Sequence, residues 1–405
     1  MKFDVIVAGA GPAGSTVARE CAARGMAVLM LEKAVFPRDK PCGGGVNVRA
    51  AKLLPFDLAP VTERVIDSMT ISVRQNRAYR RQNDGPLSYL TQRLRLDAFL
   101  AERAVRAGAD LRERCAVREV ERRGDGVEVR AAGETFAGRA LVVADGANGR
   151  TAAAAGVRVP RIMGIALEGN VTPEAFPGNW ERTFAIDVGS VPGGYGWLFP
   201  KGEHLNVGVG GWYGVGPTLR PRLDSLARYY GFEPDDLWGL RGHPLPVRLP
   251  QAPLFDGNVL LVGDAAGLLD PLTGEGIYAA FRSGETAARH LAAALDGDSN
   301  GLAGYEAEIR RDLIPELWAG TQLHALFQLF PPAWAAFVGH SGRAWRLVCA
   351  LLTGEISYAG IKDRSWLLRA GIDGAAAAVF AGARARRRWH GEVALPSFIP
   401  DRASQ

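Results

Sequence analysis

The residues Phe3–Ala8 (FDVIVA) form a short, β-branched apolar run that leads directly into Gly9-Ala10-Gly11-Pro12-Ala13-Gly14. An Ala-rich stretch, Ser15–Arg24, follows, and then a second apolar run, Ala27–Leu31, closed by Glu32. The pattern reads as a buried parallel strand, a glycine turn, a helix and a second buried strand. Each part has a physical task. Gly9 permits the tight turn, Gly11 leaves the backbone bare for a pyrophosphate, and Gly14 lets the helix pack closely on the strand. Free amides at the helix N-terminus then face the phosphate charge. Glu32 can accept hydrogen bonds from a ribose 2′-hydroxyl and disfavours a 2′-phosphate. A Gly-x-Gly-x-x-Gly run alone also describes a structural turn. With both strands and the acid in place, the unit reads as a dinucleotide site. Gly9, Gly11, Ala13, Gly14, Glu32 and Lys33 are its candidate contacts.

The 405 residues suffice for about two domains. Hydrophobic residues make up 47% and charged residues 22%, which excludes disordered and fibrous classes. A net charge of +5 suits an anionic cofactor, an acidic partner or a membrane surface. It is too small to argue for nucleic acid, and no basic-aromatic repeat of the RNA-binding kind occurs. Cys21, Cys42, Cys115 and Cys349 have no CxxC spacing, and the histidines form no HExxH or HxH pair, so no metal site and no disulfide framework are expected. The expected compartment is a reducing cytoplasm, because the start runs straight into a strand without a signal-peptide pattern. No apolar stretch is long enough to span a bilayer.

Two later segments bear on which dinucleotide. Ala140–Ala144 is a buried strand ending in Asp145-Gly146 and a glycine-rich turn. Gly257–Val262 is another, ending in Gly263-Asp264 and followed by Pro271-Leu272-Thr273-Gly274-Glu275-Gly276 and a helix from Ile277. Together with the first unit these resemble the single-component flavin hydroxylase superfamily. The resemblance implies FAD, with Asp264 holding the ribityl chain and the helix after the Pro-x-x-Gly turn aimed at the pyrimidine edge. That placement has a physical reason, since reduced flavin carries negative charge there and a helix N-terminus stabilises it. The superfamily's arginine four residues before an aspartate matches Arg93 and Asp97, so Arg93 is expected to reach the cofactor; a surface arginine beside the helix Ala98–Ala107 is the plainer alternative. The strand around Ala116–Val120, with Val117, is expected to pass the adenine.

Two further motifs narrow the resemblance. Lys40-Pro41-Cys42-Gly43-Gly44-Gly45 follows the ribose acid, and Tyr195-Gly196-Trp197-Leu198-Phe199-Pro200 precedes Gly208-Val209-Gly210. Both resemble the geranylgeranyl reductase family, which saturates double bonds of polyprenyl chains, and the match runs in order over about residues 3 to 290. Period-two spacing puts Tyr195, Trp197 and Phe199 on one strand face, either as sheet core or as the wall of a slot for a hydrocarbon. The resemblance favours the slot and makes these residues candidates for substrate binding, with Tyr195 and Trp197 also candidate catalytic residues. Saturating an isolated alkene needs a proton as well as a hydride, and a thiol beside the flavin can supply it. Cys42 is therefore the candidate proton donor as well as a cofactor contact with Gly43 and Gly44. A small packing residue is the other reading of Cys42.

The expected fold class is α/β: a Rossmann-like FAD-binding domain of the glutathione reductase and p-hydroxybenzoate hydroxylase type, a mostly antiparallel β-sheet substrate domain and a helical C-terminal region. The FAD-binding domain is expected over 1–60, 93–165 and 255–300, the sheet over 61–92 and 166–254, and the helices over 301–405. The sheet should roof the flavin, with the active site at the seam. FAD motifs alone leave a monooxygenase or halogenase open, although the Trp-x-Trp-x-Ile-Pro run of halogenases is altered here at Tyr195 and Phe199. A non-catalytic flavin-loaded lipid carrier is a third reading. The expected partners are a polyprenyl lipid and an electron donor, NADPH or reduced ferredoxin, since no second Rossmann fingerprint occurs. The cluster Arg384–His390 reads either as a solvated helix end or as a peripheral contact with the inner face of the membrane.

Overall fold

The computed structural model describes residues 2–124, 126–172, 180–212, 214–298 and 301–390, with only the backbone of Lys2 and of 382–390. The chain divides into two compact units, each assembled from three segments.

The first unit comprises Met1–Lys40, Arg93–Ile162 and Pro246–Leu317. Its sheet runs in the order Phe255–Asp256, Val259–Leu261, Glu134–Val143, Lys2–Ala8, Val28–Leu31, Asp110–Arg112. The four pairings from Val259–Leu261 to Asp110–Arg112 are parallel. The hairpin Val117–Arg123 and Gly126–Ala131 adds to Glu134–Val143 in antiparallel fashion. Lys2–Ala8 lies centrally, and Val5, Ile6 and Val7 are fully buried with Leu141, Val142 and Leu260. Continuous apolar runs are what a sheet covered on both faces requires.

The first helix is Pro12–Ala22, three residues ahead of the expected start, because Pro12 takes the first-turn position where its missing N–H is not needed. It packs against Ile277–Leu295 and Arg93–Arg106. A Cβ on Gly284 would lie 2.9 Å from the Ala13 carbonyl oxygen, so this glycine sets how closely two of these helices approach. The helix Arg93–Arg106 also starts earlier than expected, and Arg93 bonds Asp97 one turn on. Tyr305, fully buried, donates to the Leu261 carbonyl at 2.7 Å and ties the helix Gly301–Asp312 to this unit.

The second unit comprises Pro41–Gln92, Met163–Leu245 and Trp318–Gln405. The first crossing thus falls at Lys40–Pro41 where the sequence suggested 60, because Gly45–Asn47 pairs with Ser88–Leu90. The chain from Gly301 to His390 is helical, as expected, and the boundary between the units crosses it at 317. The main sheet has the order Trp238–Arg248, Arg161–Val171, Leu205–Trp212, Gly194–Pro200, Thr183–Val188, Ser68–Val73, Arg77–Gln82. It is mostly antiparallel, as expected, with a parallel pair between Thr183–Val188 and Ser68–Val73. One face buries Leu198, Val207 and Val209 against Leu219, Leu223 and Leu226 of the helix Leu219–Tyr229. A second core packs Met69, Ile71, Phe184 and Val188 with Ala335 of Pro331–His340 and with Trp345 and Cys349 of Gly342–Thr353.

Among the described residues, no helix is long and apolar enough to cross a membrane and no cluster of side chains could hold a metal ion. The side chains of Arg384–His390, the proposed lipid contact, lie outside the described residues.

Candidate functional site

In the first unit the three glycines of the turn have different reasons to be glycine. Gly9 adopts φ +100°, and a Cβ there would lie 2.5 Å from the Ala144 carbonyl oxygen. A Cβ on Gly14 would overlap the Gly9 carbonyl oxygen. Gly11 has an ordinary φ of −78°, and the nearest atoms to a Cβ would be guanidinium nitrogens, Arg38 Nη2 at 3.6 Å and Arg93 Nη2 at 3.9 Å. Among the described residues nothing requires a glycine at 11, and the backbone there is left open to approach.

The surroundings fit a diphosphate. Gly11 is the N-cap of Pro12–Ala22 and no side chain caps that end. Arg93 grips Asp97 with two bonds of 2.6 and 2.7 Å. Arg38 bridges Asp97 at 2.8 Å and Glu32 at 3.3 Å. Two guanidinium groups are thus held beside an uncapped helix end by two buried acids, Glu32 and Asp97. Glu32 accepts from the amides of Ala10 at 3.0 Å and Ala34 at 3.1 Å, which fixes its carboxylate at the strand end. Ala13 is buried, Lys33 is exposed, and Val117 is half-buried at the start of its strand.

The turn ahead of Ile277 is built around Asp270, which the sequence reading did not single out. Its carboxylate accepts from the Leu272 amide at 2.8 Å and the Thr273 hydroxyl at 2.8 Å, and its carbonyl from the Gly274 amide at 2.9 Å. Pro271–Gly276 is thereby folded at the start of Ile277–Leu295, whose N-cap, Gly276, offers no side chain. Asp264 follows Gly263, which takes φ +53°, and its carboxylate pairs with Lys40 at 3.4 Å. Asp145 accepts from the Thr151 amide at 2.9 Å, so one of its oxygens faces the short helix Thr151–Ala154, while Gly146 takes φ +78°.

In the second unit the strand Gly194–Pro200 carries the three rings. Centroids are 6.1 Å apart for Tyr195 and Trp197 and 6.5 Å for Trp197 and Phe199. Trp197 is buried and donates its indole N–H to Asn206 at 2.8 Å, and Asn206 donates in turn to Asn170 at 3.0 Å. Gly208 lies opposite Trp197 and Gly210 opposite Tyr195. The Cys42-Gly43-Gly44 segment runs against this strand: a Cβ on Gly43 would lie 2.8 Å from Phe199 Cδ2. Cys42 is half-buried and unbridged. Its amide donates to Glu168 Oε1 at 2.8 Å, and its Sγ accepts from the Gly44 amide at 3.3 Å.

Sequence reasoning missed Lys201. It is 2% exposed and donates to the Gly43 carbonyl and to the Thr91 carbonyl, the latter at 2.9 Å. Burial pulls its pKa down to about 8, partly opposed by the Cys42, Glu63 and Glu168 charges. Period two was the available signal, since 201 continues the series 195, 197, 199. Glu168 and Asn206 carried no such signal. Lys40 stood inside a quoted motif without a role, and Arg38 two residues ahead of it.

Residues 2–188 match the family profile described as FAD binding domain. The chain is 32% identical over 361 residues to the menaquinone reductase of Mycobacterium tuberculosis, covering 81% of this chain and 84% of that one. It is 33% identical to digeranylgeranylglycerophospholipid reductase 1 of Methanopyrus kandleri over 327 residues, 74% of this chain and 82% of the relative. Among solved structures, the geranylgeranyl bacteriochlorophyll reductase-like protein of Thermoplasma acidophilum superimposes with a TM-score of 0.73 at 25% identity, covering 86% of this chain and 96% of that one.

Proposed function

This chain belongs to the geranylgeranyl reductase family of FAD-dependent oxidoreductases, and from that premise we propose that it saturates double bonds of a polyprenyl chain. The observation that carries the reading is the strand Gly194–Pro200, whose Tyr195, Trp197 and Phe199 share a face against which the Cys42–Gly44 segment packs. Rings offer a flexible hydrocarbon a wall, and a thiol offers the proton that hydride transfer leaves outstanding.

Residue roles follow from the chemistry of each position. Arg38, Arg93 and the amides after Gly11 hold the diphosphate, and Glu32 accepts from the ribose. Asp264 holds the ribityl chain, and the N-terminus of Ile277–Leu295 stabilises charge on the pyrimidine edge. Bound and reduced, the flavin supplies the hydride. Cys42 holds the proton at Sγ. Trp197, fixed by Asn206, excludes water from the reacting carbon and orients the chain. The electron donor in this reading is NADPH or reduced ferredoxin.

A lipid substrate also calls for contact with a lipid surface. Phe330, Trp334 and Phe337 are 68%, 39% and 53% exposed in and beside the helix Pro331–His340. No Asp or Glu occurs from 317 to 354, while Arg343 and Arg346 are exposed. Aromatic side chains flanked by unopposed positive charge suit peripheral binding to anionic headgroups.

The names of the relatives point to two substrate types, a menaquinone and a digeranylgeranylglycerophospholipid. Anaerobic incubation of the dithionite-reduced protein with a panel of both, scored by mass spectrometry, tests the reading. Gain of two hydrogens per double bond supports it. Oxygen uptake with an oxygenated product, and no saturation, would replace it with a monooxygenase.

A further inference from the structure

The hairpin turn that joins Ser68–Val73 to Arg77–Gln82 places two consecutive side-chain-bearing residues in the left-handed region, Arg74 at φ +50° and Gln75 at φ +54°. Glycine, asparagine and aspartate are the residues such turns ordinarily use. A buried acid holds this one: Asp187 Oδ1 accepts from the Gln75 amide at 2.7 Å and from the Ser72 hydroxyl at 2.7 Å. The turn borders a pocket of about 450 Å³, lined by Arg74, Gln75 and Ser190 and by Thr218, Arg222 and Ser225 in and beside the helix Leu219–Tyr229. Ser225 donates to Gln75 Oε1 and ties the helix to the turn. Arg222 donates through Nη1 to the Ser190 carbonyl and through Nε to the Thr218 hydroxyl at 3.2 Å, which leaves Nη2 unbonded among the described residues. Arg74 lies along Gly189, with Nε 3.5 Å from where a Cβ would stand, and its guanidinium bonds nothing among the described residues.

We propose that this pocket takes the phosphate of an anionic lipid headgroup. Two guanidinium groups line it and no carboxylate does. The nearby acids are Asp187, fully buried and bonded to the turn, and Asp224, which accepts from Arg220 at 2.8 Å. With Asp187 charged, Arg74 and Arg222 still leave an excess of positive charge, and burial raises the Asp187 pKa, which increases that excess. Arg222 Nη2 and the whole Arg74 guanidinium are then free to donate to phosphate oxygens, the partners that guanidinium geometry suits best. Position identifies the source. A Cβ on Gly189, beside Arg74, would also lie 3.6 Å from Pro331 Cβ, at the start of the helix Pro331–His340, and the adjoining Phe330 is 68% exposed. A free phosphate gains nothing from that apolar neighbour, whereas a lipid headgroup held by Arg74 brings acyl chain to it. The disfavoured turn conformation at 74 and 75 has the same explanation: glycines there would fold more easily and would build no pocket. The pocket stands on its own contacts, while its lipid occupant rests on the lipid-surface contact proposed above.

The test is co-sedimentation of the full-length protein with phosphatidylcholine vesicles that contain or lack phosphatidylglycerol, beside a titration with inorganic phosphate at matched ionic strength. Wild type should favour the vesicles with phosphatidylglycerol. Arg74→Gln and Arg222→Gln should each weaken that partition about fivefold, the worth of one basic residue at an anionic surface. Two further variants separate a pocket from diffuse attraction. Arg220→Gln removes the same charge from the same helix outside the pocket and should leave partition near wild type. Ser225→Trp fills the pocket with charge unchanged and should weaken partition as much as the loss of an arginine. Equal losses in Arg220→Gln and Arg222→Gln overturn the proposal, and so does wild-type partition in a folded Ser225→Trp protein. Saturable phosphate binding without preference for phosphatidylglycerol overturns the lipid as the source. All four variants should keep wild-type saturation of a short, water-soluble prenyl substrate. Absence of that activity in the wild type would sink the reductase reading and leave the headgroup pocket standing.

Discussion

The indole of Trp197 occupies the space directly over Gly208, its cross-strand partner, where any Cβ would overlap the six-membered ring. Gly208→Ala therefore forces Trp197 out of its buried rotamer or the two strands apart. Overpacking of this kind destabilises by about 1–3 kcal/mol. We expect a lower denaturant midpoint, a red-shifted tryptophan emission and a loss of polyprenyl saturation larger than the loss of folded protein.

Gly11 and Gly9 separate cofactor binding from folding. A Cβ at 11 meets only guanidinium tips at 3.6 and 3.9 Å, whereas at 9 it meets backbone at 2.5 Å with φ +100°. Gly11→Ala should leave the melting temperature of the FAD-free protein within about 2 °C, as a substitution without steric conflict does, and weaken FAD at least tenfold by flavin fluorescence titration. Gly9→Ala should lower the melting temperature of the FAD-free protein itself.

Lys201 makes stability depend on pH in a defined direction. Its folded pKa, about 8, lies below its ordinary value of 10.5. Below pH 8 both states hold the proton and the burial penalty is present in full; between 8 and 10.5 the unfolded state holds more protons, so stability rises with pH. At ~1.4 kcal/mol per tenfold change in proton affinity, wild type should gain about 3 kcal/mol on Lys201→Met across that window. Chemical denaturation at pH 7, 8, 9 and 10 reads the difference.

Glu308 acts in the other sense. Arg289 bonds both its oxygens, at 2.7 and 2.8 Å, and His290 and Arg282 add to the cluster, which draws its pKa down to about 2 from 4.5. A carboxylate with a depressed folded pKa contributes stability above its unfolded value and loses it as pH falls towards the folded one. Glu308→Gln should destabilise by about 1–2 kcal/mol at pH 7, allowing for partial exposure. The gap to wild type should close between pH 4.5 and 2 in acid titrations followed by circular dichroism.

Lipid contact through Phe330, Trp334 and Phe337 is separable from chemistry. Replacing all three by Ser should abolish co-sedimentation with phosphatidylglycerol vesicles while preserving saturation of a short, water-soluble prenyl substrate. Equal sedimentation of the variant and the wild type would remove this surface from consideration.

The parallel core was readable from the chain because its strands are continuous apolar runs and its glycines fall at turns, so local pattern and burial agree. The ring face of Tyr195, Trp197 and Phe199 was readable for the same reason, since period two survives into the folded strand. Lys201 was not. A lysine after proline looks like surface, and it is enclosed by Gly43, Gly44 and Thr91, brought from other segments. The early start of Arg93–Arg106 escaped for a related reason: the bidentate bond to Asp97 puts an arginine inside a helix where its sequence position suggested a flank. Asp270 was not legible because it stands just ahead of the Pro271–Gly276 run, and only the folded turn shows that it holds that run.

The parallel pairing of Ser68–Val73 with Thr183–Val188 in the second sheet has a bearing on biosynthesis. Ser68–Val73 leaves the ribosome more than a hundred residues before Thr183–Val188, the neighbour it must join. In the interval Arg77–Gln82 is the strand that pairs with it, on its other edge, while Arg161–Val171 joins a different part of the sheet. A nascent chain therefore carries a half-finished, sticky ribbon through the synthesis of much of the nucleotide-binding unit, and a product truncated at 188 keeps that ribbon without Gly194–Pro200 to cover it. Expression of such fragments should yield aggregates, and a chaperone that shields extended edges has its natural point of action here.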